Sequence, residues 1–451
     1  MAPPEPEAWL RHKVWTEWSL PPEKRLFLAF SGGGDSTALL AAGQAIGLQL
    51  HLLHVNHHWH PDSDRWAAHA EQQAARYGYP CTVLNLPADL EGEGPEDRAR
   101  QGRYALLAAQ LQAGDWLLSA QHRDDQAETL LLQLLRGAGI DGLAAMPERR
   151  PLGRGTLARP FLTLSRAQLQ QYLRQRGLTW IEDPANADPR YARARVRQHV
   201  FPLLADLGWP KASECLARSA TNLADQRAVE DAWYLARKQE IWATSKSPPH
   251  WLPVRAVQAL SPPLQRVLLR RWLRDLAVPM PDQHTLQRLL RLCGPQQGGK
   301  RLQWQDVFFW RQGERLWFWR ELPDFCLDER PWLPKLPSGE SCGFRWAWGK
   351  ERPVELSESA VAVGTKTQLA ASRLYWRRRE EGSLYCNRSG QKRPVKKLLL
   401  ELAVPPFLRD RIPILWTEAG EILCIPGFYP PALTAAGAEE WLWVDWTAAH
   451  R

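Results

Sequence analysis

Short apolar runs alternate with amphipathic stretches over the first third of the chain. Four apolar runs predict strands at residues 26–30, 50–55, 81–86 and 116–120. Between them, apolar residues recur at helical spacing and predict helices at residues 36–46, 63–77 and 96–111. Strands that alternate with helices predict an α/β domain with a parallel sheet, whose ligands bind at the carboxyl ends of the strands.

The rest of the chain has a different pattern. Residues 264–276 and 286–292 have helical periodicity, and two tryptophan-rich segments that follow predict strands. Residues 141–160 are rich in Gly, Pro and Arg and predict a loop-rich connection, and the proline-rich residues 331–340 predict a linker. Beyond residue 354, short strands, turns at Ser389-Gly390 and Pro426-Gly427 and a helix near Lys396 are predicted.

These patterns predict three domains and no internal repeat. Residues 1–215 would form the parallel-sheet α/β domain, residues 216–330 a mainly helical domain, and residues 350–451 a small α+β domain. The 451 residues are long enough for each domain to bury its own core.

Composition narrows the class of protein. The chain is 44% hydrophobic and 24% charged, and its apolar runs are too short to span a bilayer. Its N-terminus lacks the basic and apolar regions of a signal peptide, so we expect a cytoplasmic protein without membrane contact. Seven scattered cysteines with no CxxC pair favour reduced thiols over disulfides or a metal site.

The net charge of +9 suits a polyanionic partner. Basic proteins without nucleic-acid ligands are common, so charge alone leaves this open. Nucleic-acid bases can stack on aromatic rings, but most of the 24 tryptophans are expected to be core or packing residues.

The first predicted strand runs directly into a glycine-rich turn and a helix, in the sequence FLAFSGGGDST at residues 27–37. Gly32, Gly33 and Gly34 allow backbone amides to approach phosphate oxygens, and the helix that begins near Ser36 adds its positive dipole end. An ordinary glycine-rich turn is the alternative. Asp35 favours the phosphate site, because a carboxylate there suits Mg²⁺ that bridges a pyrophosphate.

Three further motifs follow in order: HVNH at residues 54–57, EDRARQGRY at 96–104, and SAQHRDDQAETLLLQLLRGAGIDGL at 119–143. In the last one, the fourth strand ends near His122 and a helix opens with three acids. Asp125 and Glu128 are three apart and share a helix face near the strand ends. Acidic residues in a first turn often only complement the helix dipole, which is the alternative reading.

Together these motifs resemble the PP-loop ATP pyrophosphatases, and most closely the bacterial tRNA(Ile)-lysidine synthetase family. The glycine loop is similar to the family's SGGxDS, and residues 119–143 to its AHHxDDQAET and RGxGxxGL. The resemblance is dense over residues 26–205, thin in the middle and moderate at the end. Two positions depart from the family pattern: Gln121 replaces a His, and Ala194 replaces an Asn.

The resemblance implies a reaction. It would join free L-lysine to the cytidine at the first anticodon position of tRNA(Ile) with a CAU anticodon, through an adenylated tRNA, and so change the codon that the tRNA reads. ATP would be consumed with Mg²⁺ as a cofactor, and AMP and pyrophosphate released.

The resemblance also implies site residues. Asp35 would hold the metal, and Asp125, Glu128 and Arg100 would bind lysine, Arg100 alternatively balancing the AMP phosphate. The implied ATP-binding residues are Ser31, Gly32, Gly33, Gly34, Asp35, Ser36, His54, Asn56 and Gly137. The oligomeric state is left open, with a homodimer as one option.

Two basic clusters are candidates for tRNA binding. Residues 149–197 hold eleven arginines against three acids, and a second cluster lies at residues 373–397. The implied contacts are Arg193, Arg197, Arg377, Arg378, Lys396 and Lys397. A solvated basic face is the alternative reading of each cluster.

Other functions fit the sequence less well. A PP-loop tRNA sulfur transferase usually carries catalytic cysteines, and none lies near these motifs. A small-molecule amidotransferase would need no arginine-rich surface and usually has a glutaminase partner domain. A purely RNA-binding role would leave Asp35, Asp125 and Glu128 without a purpose.

Overall fold

The computed structural model describes most of the chain and divides it into two compact units, Met1–Val229 and Glu230–Arg451. It does not describe residues 1–4, 22–23, 88–94, 183–187, 243–250, 296–300, 321–337, 342–343, 350–360, 366–372, 380–383, 387–391, 403, 405–408, 411, 419, 421, 426–440 and 447–451. Most of the predicted linker and both predicted C-terminal turns lie outside the described residues. Within the described ranges, none of the helices has the length and apolar composition needed to cross a bilayer.

The first unit is built on a six-stranded sheet in the order β3-β2-β1-β4-β6-β5. Its strands are β1 (Leu26–Ala29), β2 (Leu50–Asn56), β3 (Cys81–Asn85), β4 (Trp116–Leu118), β5 (Arg149–Leu152) and β6 (Gly155–Ala158). All neighbouring strands are parallel except β5, which pairs antiparallel with β6. The predicted parallel α/β sheet is therefore confirmed.

Helices cover both faces of this sheet and form two separate apolar clusters with it. The helices that the structure describes up to residue 242, the last of which continues into the second unit, are α1 (Pro6–Arg11, continued by a π-helical turn at His12–Glu17), α2 (Gly34–Ala45), α3 (Ser63–Tyr77), α4 (Pro95–Ala109), α5 (Arg123–Leu135), α6 (Ile140–Leu143), α7 (Arg166–Gln175), α8 (Ala192–Arg195, continued by a π-helical turn at Val196–Val200), α9 (Phe201–Asp206) and α10 (Ala212–Trp242). Leu28 and Leu39 are among the residues that are fully buried between the central strand and its helices. The three helices predicted between the strands are confirmed to within two residues.

The loop-rich connection predicted over residues 141–160 is wrong in part, because strands β5 and β6 lie there. Each strand has only four residues, so neither shows the alternating pattern that predicts a strand. Gly153 turns the chain between them at a φ of +55°, and a Cβ there would lie 2.8 Å from the Ala108 carbonyl oxygen. Leu157 and Ala158, the second half of β6, are fully buried in the sheet.

The second unit begins with helices and a four-stranded antiparallel sheet in the order β7-β10-β9-β8. Its elements are β7 (Trp251–Pro253), α11 (Val254–Gln258), α12 (Pro262–Asp275), α13 (Gln283–Leu292), β8 (Arg301–Trp304), β9 (Val307–Gln312) and β10 (Arg315–Arg320). The two tryptophan-rich segments form the hairpin β9–β10, as predicted. Trp272 of α12 is fully buried against Phe309 and Phe318 of that hairpin.

The C-terminal part of this unit consists of short antiparallel strands and one helix. Its elements are β11 (Ser338–Ser341), β12 (Phe344–Gly349), β13 (Val361–Thr365), β14 (Leu374–Arg377), β15 (Leu384–Cys386), β16 (Lys392–Pro394), α14 (Val395–Glu401), β17 (Ile414–Thr417), β18 (Ile422–Cys424) and β19 (Trp441–Trp446). The predicted helix near Lys396 is confirmed as α14. The second unit holds two separate apolar clusters, one around Trp272 and one around Leu399 and Ile414. The division into three domains remains a prediction.

Candidate active site

A cavity of about 330 Å³ opens at the carboxyl ends of β1, β2 and β4, where a parallel sheet binds its ligands. Its wall combines the loops after those three strands with one face of α4. The polar residues that line it are Ser31, Asp35, Ser36, His54, Asn56, His57, Ser63, Arg103, Tyr104, Ser119, Gln121 and Asp125.

The glycine loop forms one side of this cavity. Gly32 has a φ of +79°, and a Cβ there would lie 3.0 Å from Ile181 Cδ1, so both the backbone and the space require glycine. Ser36 Oγ donates to the Gly33 carbonyl at 3.0 Å, which closes the turn. No side chain in the described ranges caps α2, so its first amides are free to bind an anion.

Residues 180–182 lie against the glycine loop. The Ile181 amide donates to the Gly32 carbonyl at 2.9 Å, and Gly33 and Ile181 form a parallel bridge. A Cβ on Gly34 would lie 3.4 Å from the Trp180 indole. These contacts place Trp180 and Ile181 directly beside the glycine loop.

His122 lies at the centre of three carboxylates. Its Nε2 is 3.4 Å from Asp35 and 3.6 Å from Asp125, and its Nδ1 is 3.7 Å from Asp124. Burial alone would lower the pKa of His122, but the carboxylates of Asp125, Asp35 and Asp124 outweigh it and raise the pKa to about 9. Burial would raise the pKa of Asp35, yet its contact with His122 lowers it overall. The imidazolium therefore keeps the loop carboxylate ionised.

The first turn of α5 fixes two of these acids. Asp125 accepts from the His122 amide at 3.1 Å, and the Asp125 amide lies 3.4 Å from His122 Nδ1, so the two residues together cap the start of α5. Asp124 accepts from the Arg166 amide at 2.8 Å and from Ser213 Oγ at 2.6 Å. Asp124 therefore has a structural role, whereas Asp125 is both a cap and a wall of the cavity.

Glu128 lies one turn further along α5 and is fully buried. Arg197 donates to it through Nε at 2.7 Å and Nη2 at 3.1 Å, and Arg197 Nη2 also lies 3.7 Å from Asp125. Burial raises the pKa of Glu128, and the two Arg197 hydrogen bonds oppose that rise. The predicted lysine ligand Glu128 and the predicted tRNA ligand Arg197 are thus paired with each other.

Four other predicted residues occupy different positions. His54 and Asn56 line the cavity, but His54 Nδ1 bonds the Phe30 carbonyl at 3.0 Å and Asn56 Nδ2 donates to Asp64 at 2.8 Å. Arg100 is exposed on α4 outside the cavity wall. Gly137 follows α5, roughly 18 Å along the helix from Asp125 at 1.5 Å per residue, so the structure does not bring it to the cavity.

Arg103, one turn after Arg100, reaches the cavity beside Tyr104. The loss of water around Arg103 lowers its pKa, and the nearby guanidinium groups of Arg100 and Arg193 add to this effect. Arg150 lies over the Tyr104 ring at 4.9 Å. This side of the cavity is therefore positively charged, opposite the carboxylates Asp35 and Asp125.

The arginine-rich segment at residues 149–197 is not a uniform basic surface. Arg159 is buried inside the unit, while Arg176 pairs with Glu7 and Arg190 with Asp188. Arg193 donates to Thr129 Oγ1 at 3.1 Å. These internal contacts account for part of the positive charge that the sequence alone assigns to a nucleic-acid surface.

The C-terminal candidates are more exposed. Lys396 and Lys397 lie on the outer face of α14, and Arg377 and Arg378 are exposed at the end of β14. The Arg377 guanidinium lies over the Tyr375 ring at 4.6 Å. Their role in binding tRNA remains a prediction.

Sequence reasoning assigned no role to His122, Tyr104 or Gln121, all of which belong to the site. All three lie in the motifs at 96–104 and 119–143, which also hold Arg100, Asp125 and Glu128. Their place in these motifs is the only sign of a role in the sequence, and the folded structure shows which motif residues face the cavity.

Comparison with known proteins gives three family matches. The PP-loop domain family matches residues 10–204, the TilS substrate binding domain residues 252–317, and the TilS substrate C-terminal domain residues 374–446. These matches cover the α/β unit and both parts of the second unit.

Named relatives match over nearly the whole chain. A tRNA(Ile)-lysidine synthase of Methylococcus capsulatus is 36% identical, covering 92% of this chain and 93% of that protein. One from Pseudomonas syringae pv. tomato is also 36% identical, covering 92% and 91%. Among solved structures, the U34-tRNA thiolase NcsA from Methanococcus maripaludis is 14% identical with a TM-score of 0.41, covering 49% of this chain and 78% of that one.

Proposed function

The chain belongs to the tRNA(Ile)-lysidine synthase family of ATP-using tRNA-modifying ligases, and from that premise we propose that it joins free L-lysine to a tRNA cytidine. The cytidine is the one at the first anticodon position of tRNA(Ile) with a CAU anticodon. The products are lysidine, AMP and pyrophosphate, and the intermediate is a tRNA adenylated on that base.

One observation carries this proposal. The uncapped glycine loop, the loop carboxylate Asp35 and the helix carboxylate Asp125 share one cavity of about 330 Å³. A phosphate site and a site for a cationic amine are therefore next to each other. Activation by ATP and attack by an amine need that adjacency.

In the first step, the cytosine O2 attacks the α-phosphorus of ATP and pyrophosphate leaves. The amides at the start of α2 bind the phosphate oxygens and stabilise the charge that develops on the leaving group. The imidazolium of His122, which is buried, holds the Asp35 carboxylate ionised beside this loop.

Mg²⁺ fits this arrangement as a companion of ATP. The described residues contain no cluster of three or more acidic, histidine or cysteine side chains able to hold a metal by themselves. A single carboxylate with substrate phosphates is how Mg²⁺ is commonly held, so Asp35 and the ATP phosphates would be its ligands. When bound, Mg²⁺ supplies positive charge that stabilises pyrophosphate.

In the second step, the ε-amine of lysine attacks C2 of the base and AMP leaves with the former O2 oxygen. Lysine enters as an ammonium, so it must lose a proton to become a nucleophile. Asp125 faces the cavity and takes that proton, while Glu128, already bound to Arg197, acts by holding Arg197 beside Asp125. Arg103, which lines the cavity, provides positive charge for the lysine carboxylate or the AMP phosphate, and Arg100, outside the wall, adds to the positive charge near Arg103.

The tRNA body needs contacts beyond the cavity. We assign these to the exposed cations Arg377, Arg378, Lys396 and Lys397 in the second unit. Phosphate contacts of this kind set the position of an RNA without reading its sequence. The protein works in the cytoplasm, where its substrates are, and a homodimer is compatible with this account.

Sulfur transfer to tRNA is the competing function for a PP-loop fold. That chemistry needs a sulfur carrier at the active site, and no cysteine lines this cavity. The free cysteines in the described part of the chain are Cys81, Cys215, Cys293 and Cys424. Ligation of an amine is therefore the function that the site supports best.

The test is incorporation of radiolabelled lysine. The protein is incubated with ATP, labelled lysine and tRNA(Ile) with a CAU anticodon, and the tRNA is digested to nucleosides. We expect one labelled nucleoside, whose formation requires ATP and is lost in Asp35→Asn. Label on no nucleoside, or equal incorporation into tRNA with another anticodon, would rule the proposal out.

A further inference from the structure

Gln121 is the position where this chain departs from the family's His, and it lines the cavity between the glycine loop and Asp125. It follows β4 and immediately precedes His122, so the sheet fixes its backbone. A neutral amide at this place has both a donor and an acceptor to offer a ligand.

Two donors fix the orientation of that amide. Arg159 Nε donates to Gln121 Oε1 at 3.1 Å, and Ser119 Oγ donates to the same oxygen at 2.5 Å. A guanidinium has no acceptor, so the Gln121 atom that it contacts must be the oxygen. The amide cannot turn over without placing its NH₂ against the Arg159 guanidinium.

Arg159 is itself held firmly. It is 3% exposed, and its Nη1 donates to the Pro147 carbonyl at 2.7 Å. Its guanidinium lies near enough to the Tyr104 phenol, another wall of the cavity, to lower the pKa of that phenol. The NH₂ of Gln121 makes no hydrogen bond within the described part of the chain, so it is left as an obligatory donor for a ligand.

Cytosine and uracil differ at the atom next to the reacting carbon. N3 of cytosine accepts a hydrogen bond, whereas N3 of uracil carries a hydrogen and donates. A fixed NH₂ can therefore bond N3 of cytosine but meets a second donor in uracil. Enzymes that act on an extruded base read this edge by such hydrogen bonds.

We propose that Gln121, oriented by Arg159 and Ser119, selects cytosine over uracil at the modified position of the tRNA. This inference rests on the proposed function. With cytosine the Gln121 NH₂ makes a hydrogen bond, whereas with uracil it faces a second donor. This difference should favour cytosine roughly ten- to a hundredfold.

The experiment compares tRNA(Ile) carrying C at the first anticodon position with the same tRNA carrying U there. The KM of the C form is measured by lysine incorporation, and the inhibition constant of the U form by competition in the same reaction. Variants are Gln121→Glu, which replaces the donor with an acceptor, and Gln121→Met, which removes both. Ser119→Ala is the matched control, because Arg159 still orients the amide.

We expect Gln121→Glu to reduce the preference for the C form at least tenfold and to strengthen binding of the U form. Gln121→Met should bring the two forms to within about threefold, and Ser119→Ala should keep most of the preference. The KM for ATP should stay within about twofold in all three, with melting temperatures showing which variants are folded.

A preference that is unchanged in both folded Gln121 variants would overturn the inference. A raised KM for ATP with an unchanged preference for the C form would also overturn it, because the Gln121 amide would then contact ATP and not the cytosine. If the unaltered protein incorporates no lysine into the C form, the proposed function fails and this inference fails with it. If lysine is incorporated normally but the preference for the C form does not change in the Gln121 variants, only the role of Gln121 is rejected.

Discussion

The ion pair between Glu128 and Arg197 gives the most detailed prediction. The Glu128 side chain is 1% exposed and the Arg197 side chain 27%, and two hydrogen bonds of 2.7 and 3.1 Å join them. Removing Arg197 leaves the Glu128 charge buried without these hydrogen bonds, whereas removing Glu128 leaves Arg197 partly exposed and still near Asp125. Removing both leaves no charge to be desolvated, so the two substitutions should be strongly coupled.

Breaking a buried pair from one side costs about 3–5 kcal/mol of unfolding free energy. Glu128→Gln should lie at or below the lower limit, because Arg197 is partly exposed and keeps Asp125 at 3.7 Å. Arg197→Met should cost more, because it leaves the fully buried Glu128 without a cation. The double variant should then recover about 1.5–3 kcal/mol relative to the sum of the two single variants.

The assay is urea unfolding of the full-length protein and its three variants, followed by far-UV circular dichroism. The transition to compare is the one that involves residues 1–229, which limited proteolysis identifies. Additivity within about 0.5 kcal/mol would refute the reasoning, because it would mean that the two charges do not depend on each other.

Three further predictions test other parts of the account. Gly32→Ala should raise the KM for ATP about five- to thirtyfold, which corresponds to the roughly 1–2 kcal/mol of a strained left-handed residue in the phosphate loop, where the new Cβ also lies 3.0 Å from Ile181. Gly47→Ala, which has a similar φ of +80° but open space around it and lies outside that loop, should leave the KM for ATP unchanged. Asp115→Asn should destabilise the protein at pH 7 by roughly 1–3 kcal/mol with little effect on activity. Burial would raise the pKa of Asp115, but hydrogen bonds from Arg25 and the Gln112 amide lower it. The stability that the ionised carboxylate confers is therefore present above about pH 3.9 and is lost as the pH falls through the lowered pKa. In acid unfolding, Asp115→Asn should lose less stability over this pH range than the unaltered protein. Replacing Lys396 and Lys397 with Ala should flatten the salt dependence of tRNA binding by a slope of about 1.4–1.8, whereas Arg393→Ala, which removes a cation already paired with Glu401, should change it less.

The parallel sheet was predictable because its central strands are fully buried and its helices have one apolar face. The hairpin β5–β6 was not, because four-residue strands made of Arg-Arg-Pro-Leu and Gly-Thr-Leu-Ala carry no periodic signal. Their pairing depends on a turn at Gly153 and on contacts with Ala108 that are distant in sequence.

The candidate site shows a similar limit. The glycine loop and the acids of α5 were predictable, because each belongs to a local motif with fixed spacing. The partners of those acids were not: Glu128 pairs with Arg197, which is 69 residues away, and Gln121 with Arg159, which is 38 residues away. Contacts of this kind follow from the tertiary fold, so a count of arginines in the sequence overstates the charge available for RNA.

The central claim is that the cavity first adenylates the tRNA and then transfers lysine, and ATP labelled at the α-phosphate tests it most directly. Without lysine, we predict that the protein forms tRNA carrying the label, visible on a denaturing gel, and that added lysine releases the label as AMP. Asp125→Asn should form the labelled tRNA but retain the label after lysine is added, because the amine lacks its carboxylate. Absence of labelled tRNA without lysine, in a protein that nevertheless makes lysidine when lysine is present, would contradict the two-step account.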